Sequence, residues 1–292
     1  MNKDKNFKID FMGIGSPRCA SCWIDNCLKD HHEITCLNAT KFFIQDPIYQ
    51  KGINYYKQQY PKNTKTTIKG EYDSGCLHQA KAAERIKKHF PNAKLIVCIR
   101  NPIERAYSHF LLHDLKGKNL NKSFNDFIHN PESRYIWPGF YAHHLKEYFK
   151  HFNKKQILVM IYEDIKKDPT AFIQKIYKFL EVDDNFIPET ISKKVNYTGY
   201  YKPYSRFLNV IMFKSSRFFY KNPFLKKHSC IFKKLGLKKI RDWIKKNNKK
   251  LRKSKYQKPE MPQKDREFLR NLYQEDIKKL EKLIDRKLDF WK

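Results

Sequence analysis

The chain has 292 residues, 40% hydrophobic and 15% aromatic, which excludes a disordered protein and predicts a core large enough for one α/β domain with a C-terminal extension. A formal net charge of +31 predicts attraction to polyanions or anionic surfaces, and no apolar run reaches the roughly 20 residues that cross a bilayer. Seven cysteines without framework spacing predict reduced thiols, and the polar start Met1-Asn-Lys-Asp-Lys-Asn6 predicts no leader; together they point to a cytoplasmic protein.

A strand near residues 8–14 leads through a turn carrying Arg18 into a helix ending near Lys29, before His31 and His32. Residues 38–62 are aromatic, with a helix over Ile53–Gln59. A strand Thr66–Gly70, a helix Gln79–His89, a buried strand Leu95–Ile99 and a helix from Ile103 to about Leu115 follow. Further helices are predicted near Ser123–His129 and over Gly139–Phe152, then a strand Ile157–Ile161. Asp168 caps a helix that Pro169 opens and that runs to Leu180. Alternating strands and helices with short links predict a P-loop-like central parallel sheet flanked by helices. Phe268, Leu269, Leu272, Tyr273, Ile277, Leu280 and Leu283 recur at helical spacing, a helix packing on the core. The organisation is therefore one domain over 1–292: an α/β core at 1–195, a basic lid-like segment at 196–262, and the C-terminal helix region at 263–292.

Two stretches carry chemistry. In Phe11-Met-Gly-Ile-Gly-Ser-Pro-Arg18-Cys-Ala-Ser-Cys-Trp-Ile24 an apolar strand breaks into a small-residue turn with one cation and restarts as a helix. Amides of the turn and first helical residues lack intrahelical acceptors, and the positive end of the helix dipole faces what they bind, so this is an anion cradle. In Lys94-Leu-Ile-Val-Cys-Ile-Arg100-Asn-Pro-Ile-Glu-Arg-Ala-Tyr-Ser108 a second strand delivers Arg100 to the carboxyl edge, where open α/β sheets bind ligands. Arg18 and Arg100 can therefore address one ligand bearing two separated anionic groups.

These residues resemble the sulfotransferases that use 3′-phosphoadenosine 5′-phosphosulfate (PAPS), within the glycan-directed and bacterial branch. Pro17-Arg-Cys-Ala-Ser-Cys-Trp-Ile24 is similar to the family's 5′-phosphosulfate loop, Pro-Lys/Arg-x-Gly-Thr-Thr-x-Leu, and Arg100 with Ser108 to its 3′-phosphate pair. Gly70-Glu71, Gly139-Phe-Tyr141, Tyr162-Glu-Asp164 and Tyr273 through Trp291 extend the likeness over nearly the whole chain. The resemblance implies transfer of a sulfuryl group from PAPS to a hydroxyl or amine acceptor, foremost a carbohydrate, without a metal. It implies donor binding by Arg18, Cys19, Ala20, Ser21, Cys22, Trp23, Arg100 and Ser108, with Trp23 against adenine. Arg18 stabilises the leaving phosphate electrostatically, being a poor proton donor, and Glu71 is the acceptor-side base.

The chain departs from the family pattern at four places. Ala20 stands where the family has Gly, and its Cβ restricts positive φ. Cys22 replaces a threonine, leaving Ser21 as the hydroxyl donor; Arg18 stands where many members have Lys, and Tyr72 where Lys is common. His78, His109 and His113 are rival bases.

Other readings stay open. A kinase or NTPase shares the strand-loop-helix logic, but Gly-x-x-x-x-Gly-Lys-Ser/Thr is absent and Arg100 stands where an Asp for magnesium is expected. Cys19-x-x-Cys22 fits a redox or zinc motif, but no second ligand pair has zinc spacing. From Lys202 to Lys258, 20 Lys or Arg stand against one acid, Asp242. That stretch suits a glycan or peripheral contact at the inner face of an anionic membrane, with no specific nucleic acid, or a non-catalytic polyanion-binding protein on the same fold.

Overall fold

The computed structural model describes residues 7–61, 66–115, 118–119, 122–193 and 259–291. Its five strands are β1 (Phe11–Gly15), β2 (Ile34–Asn38), β3 (Ile68–Tyr72), β4 (Lys94–Ile99) and β5 (Ile157–Ile161). The helices are α1 (Ser21–Asp30), α2 (Asp46–Tyr49), α3 (Gly52–Lys57), α4 (Ala80–His89), α5 (Pro102–Leu115), α6 (Asn125–Ile128), α7 (Tyr141–Phe149), α8 (Tyr162–Ile165), α9 (Pro169–Leu180) and α10 (Gln263–Ile284).

The strands form one parallel sheet in the order β2-β3-β1-β4-β5. Each inner strand is covered on both faces, so β1 is buried throughout and β4 after its first residue, the continuous apolar run of a parallel sheet. Met12, Ile14, Leu95, Val97 and Ile99 face the core shared with α4, α7 and α10. Phe11, Ile96, Cys98 and Met160 face α1 and α9. A third apolar cluster joins α5 to Phe124, Tyr135 and Tyr273 of α10.

From β1 the chain runs outward to β2, returns through β3, and crosses β1 to reach β4. The direction of winding therefore reverses between β1 and β4, whose carboxyl ends open a crevice of the kind in which such sheets bind ligands.

Several predicted elements shift. The edge strand β2 was missed, because Ile-Thr-Cys-Leu-Asn is short and its burial alternates, a weak signal beside a histidine pair. The strand predicted at Thr66–Gly70 runs instead over Ile68–Tyr72, which brings Glu71 into the sheet. Tyr162–Asp164 opens a helical turn after β5, and Trp137–Gly139 is a 3-10 turn before α7, which starts at Tyr141. Asp168 caps α9 as expected, accepting from the Ala171 N–H at 2.9 Å. The basic stretch 202–258, and most of the predicted lid at 196–262, lie outside the described residues.

The C-terminal segment braces the crevice from behind. Asp276 of α10 accepts from the Ala142 and His143 N–H groups at 3.0 and 3.1 Å, satisfying the first turn of α7. Arg286 pairs bidentately with Asp164 at 2.6 and 2.8 Å, and the Trp291 carbonyl accepts from Asn101 Nδ2 at 2.9 Å, next to Arg100.

Candidate active site

Between Gly13 and Gly15 the β1–β4 register slips by one residue, a bulge that re-aims the chain as it leaves the sheet. A Cβ at Gly13 would stand 2.1 to 2.5 Å from atoms of the Tyr72 ring, so only glycine lets Tyr72 cross β1 and donate to the Gly15 carbonyl at 2.9 Å. Tyr72 thus fills a buried structural position at the place where lysine is common in the resemblance.

The following turn holds two non-glycine residues in the left-handed region, Arg18 at φ 69° and Ala20 at φ 59°. The sequence predicted that a Cβ at position 20 would restrict positive φ; Ala20 adopts it regardless, at a cost of about 1–2 kcal/mol. Strain of this kind persists where the surroundings enforce it, and turns of this geometry collect backbone N–H groups around an anion. The amides of Ala20, Ser21 and Cys22 precede the first hydrogen bond of α1, which the Trp23 N–H makes to the Ala20 carbonyl at 2.8 Å.

Arg18 Nε donates to Ser108 Oγ at 3.1 Å, and Arg100 Nη1 lies 3.5 Å from the Arg18 carbonyl. Arg100 also stacks over the Tyr162 ring at 4.5 Å, while Tyr141 donates to the Arg100 carbonyl at 2.9 Å. The structure therefore brings Arg18 and Arg100, past the ends of neighbouring strands, and Ser108 of α5 into one place. Burial and the adjacent Arg100 charge both push Arg18 below the ordinary guanidinium range. Two like charges held in this way are relieved by an anion between them.

The remaining loop residues divide. Ser21 is half-buried at the start of α1 and Cys22 is exposed beside it. Cys19 is fully buried, its thiol pushed up to about 11 by desolvation, with Sγ 3.8 Å from the Tyr141 hydroxyl. Cys19 contributes packing and backbone, and its buried, weakly acidic thiol is a poor partner for redox exchange; the six described cysteines are all free. Trp23 is 7% exposed and meets Phe172 edge-on, ring centroids 6.0 Å apart. The apolar face of α1 turns most of the Trp23 ring into the core, leaving only an edge for the adenine contact that the resemblance implies.

On the other side of β1, Glu71 is fully buried rather than facing the strand end. It accepts from the Thr40 N–H at 2.5 Å, and the Thr40 hydroxyl lies 2.9 and 3.0 Å from its two oxygens. Desolvation, with Asp73 adding and Thr40 opposing, pushes its carboxyl up to about 7. Asp73, itself buried, holds Lys41 Nζ at 2.6 Å and accepts from the Gly75 N–H at 2.9 Å. Lys41 is left-handed at φ 65°. Thr40, Lys41 and Asp73 were not singled out in the sequence; Asp73 one residue beyond a strand glutamate was the available hint.

The rival histidines are poor bases. Burial depresses His78 to about 3 and His109 to about 2, and the Nδ1 atom of each is buried without a partner among the described residues. His113 Nδ1 is tied to the Tyr135 hydroxyl at 3.0 Å. Among the described residues no group of His, Cys, Asp or Glu could hold a metal ion, and no helix is long and apolar enough to cross a membrane.

A parallel sheet with this strand order and an arginine-lined crevice at its switch point defines an α/β protein built to hold an anionic ligand. The sulfotransferase domain family model matches residues 10–282, and the chain belongs to that family. It is similar to the bifunctional heparan sulfate N-deacetylase/N-sulfotransferase 1 of Caenorhabditis briggsae, 25% identical over 207 residues, covering 63% of this chain and 24% of that protein. The Xenopus laevis protein of the same name is 30% identical over 149 residues, 46% of this chain and 17% of its own length. The chain thus spans about a quarter or less of these relatives. The crystal structure of a sulfotransferase from Alicyclobacillus acidocaldarius shares the fold, at a TM-score of 0.68 and 19% identity over 98% of this chain and 99% of that one.

Proposed function

We propose that the chain transfers the sulfuryl group of PAPS to a hydroxyl or amine of a carbohydrate. The observation that carries this is the convergence of Arg18, Arg100 and Ser108 at the crevice between β1 and β4. Family membership supports sulfuryl transfer, and the names of the relatives support a glycan acceptor.

In this reading Arg18 and the first-turn amides of α1 hold the 5′ leaving group, where negative charge develops as the S–O bond breaks. Arg100 and Ser108 hold the 3′-phosphate. A hydroxyl donates once and accepts twice, so Ser108 can accept from Arg18 Nε while donating to the phosphate, which links the two ends of the donor. Tyr162 under Arg100 and Tyr141 on its carbonyl keep the guanidinium in place. Fixed charge and proximity supply most of the catalysis, as in phosphoryl transfer. We place the enzyme in the cytoplasm, where the basic stretch 202–258 would draw acidic glycan or the inner membrane face toward the site.

The test is incubation with radiolabelled PAPS and de-N-acetylated heparan sulfate, with a neutral glycan alongside. Label is expected in the acidic glycan, with or without EDTA, and not with Arg18→Ala. Label in neither glycan, together with no binding of adenosine 3′,5′-bisphosphate, overturns the assignment.

A further inference from the structure

Glu71 is a carboxyl group with no solvent exposure of its own. Its hydrogen bonds run to Thr40 and to the Tyr56 hydroxyl, and of these two partners Tyr56 is fully buried while Thr40 is only half-buried. Asn38, opposite Tyr72, is the last paired residue of β2, so Thr40 lies just past the carboxyl edge of the sheet, where its N–H turns back to Glu71. The Ser74 carbonyl lies 3.6 Å from where a Cβ of Gly15 would stand, against the base of the Arg18 turn. β2 lies two strand lanes from β1, roughly 10 Å at about 4.8 Å per lane, so Thr40 and the Arg18 turn leave the same edge of the sheet with a separation of the order a sugar ring can bridge.

The Thr40 hydroxyl is already part of a chain of donors. It gives its proton to Glu71 and accepts from the Phe42 N–H at 3.1 Å, which leaves one lone pair for a donor arriving from the crevice. The other groups facing Glu71 are the hydroxyls of Tyr56 in α3 and of Tyr60 just after it, the Cys36 thiol of β2, the Cys76 thiol, and Asp73 with its Lys41 partner. Desolvation pushes both phenols and both thiols up, so none competes with Glu71 for a proton near neutrality.

We propose that Thr40 is a catalytic residue of this chain, its hydroxyl taking the proton of the attacking acceptor while handing its own to Glu71. The step rests on the sulfuryl-transfer reading above. The acceptor O–H or N–H bond breaks as its oxygen or nitrogen bonds to sulfur, and the bond from sulfur to the 5′-phosphate oxygen breaks, its electron pair leaving on the phosphate. Thr40 Oγ gains one proton and loses one, and the Glu71 carboxylate ends as a neutral carboxyl. A carboxyl near 7 is half ionised at neutral pH, the range in which a general base is most effective.

The experiment compares Thr40→Val, Thr40→Ser and Glu71→Gln in transfer from PAPS to de-N-acetylated heparan sulfate, across pH 5.5 to 8.5. Thr40→Val keeps the shape and the backbone N–H to Glu71 and removes the hydroxyl. Its kcat is expected to fall by about 10²-fold with affinity for adenosine 3′,5′-bisphosphate unchanged, whereas Thr40→Ser keeps kcat within about fivefold. The wild-type kcat is expected to rise with pH through a limb near 7 that both Thr40→Val and Glu71→Gln lack. A folded Thr40→Val that turns over normally, or a Glu71→Gln that retains the limb, overturns the proposal. Failure of the sulfuryl-transfer reading looks different: wild type itself neither binds the bisphosphate nor transfers label.

Discussion

The two halves of the sheet's carboxyl edge are built on opposite principles. At the ends of β1 and β4 the working groups are cations, Arg18 and Arg100, brought together by short turns and held by neighbours such as Ser108 and Tyr162. At the ends of β2 and β3 the central group is an acid, Glu71, withdrawn from solvent and hydrogen-bonded to the half-buried Thr40. Fixed positive charge suits an anion that arrives already charged, and it needs no change of protonation. A proton acceptor needs the reverse, a carboxyl desolvated far enough to be half ionised at neutral pH. The molecule thus separates a binding half at β1 and β4 from a titrating half at β2 and β3.

Substitutions can break or sharpen this contrast, from the strongest effect to the weakest. Arg18→Ala is expected to lower kcat by about 10²–10³-fold, since it removes a donor from the developing charge; single-turnover assays with labelled PAPS read this directly. Arg100→Ala should weaken adenosine 3′,5′-bisphosphate binding by roughly 10–100-fold, corresponding to one lost charge-assisted interaction of about 1.5–3 kcal/mol, by calorimetry. Neither change should move the pH limb assigned to Glu71, and a shifted limb would merge the two halves.

Stability carries its own pH signature. His78, His109 and His144 are held by burial at about 3, about 2 and about 4, below the unfolded value near 6.5. Below that value the unfolded chain takes up protons that the fold refuses, so stability is expected to fall as pH drops from 6.5 toward 4, by up to about 1.4 kcal/mol per pH unit for each group. Glu71 acts in the opposite sense: the fold keeps its proton up to about 7 while the unfolded chain releases it near 4.5, so its share declines as pH rises through that window. Three histidines outweigh one glutamate, and urea unfolding at pH 7 and pH 5 should show the acid sample less stable. Glu71→Gln should steepen that loss.

Smaller effects belong to the framework. Arg286→Ala removes the pair with Asp164, and because both side chains are partly exposed the cost is expected at no more than about 1 kcal/mol in thermal melts. Ala20→Gly should relieve the left-handed Cβ at the price of a freer unfolded chain, a net gain of about 0.5 kcal/mol. It tests whether the turn is held open for its ligand or merely tolerated.

Local chemistry announced the binding half. An apolar run ending in a small-residue turn with one cation can hardly be anything but a strand, a loop and a helix start, so Arg18 was legible, as were the buried strand delivering Arg100 and the Asp168-Pro169 cap. The rest was written in contacts between distant segments. The edge strand β2 is short and only half-buried, so periodicity did not reveal it. Without β2 nothing in the sequence could place Thr40 beside Glu71, 31 positions away, or Lys41 against Asp73. Trp23 shows the same limit, since the direction of its ring depends on which face of α1 meets Phe172.

By itself the order of residues determined the parallel α/β class, the anion turn and the two arginines, because these depend on hydrophobic periodicity and on backbone groups near one another in the chain. Only tertiary structure decided that Ser108 joins Arg18, that Trp23 turns inward and that Glu71 loses its solvent. Desolvation is a property of everything packed around a group, and no local stretch of sequence contains it.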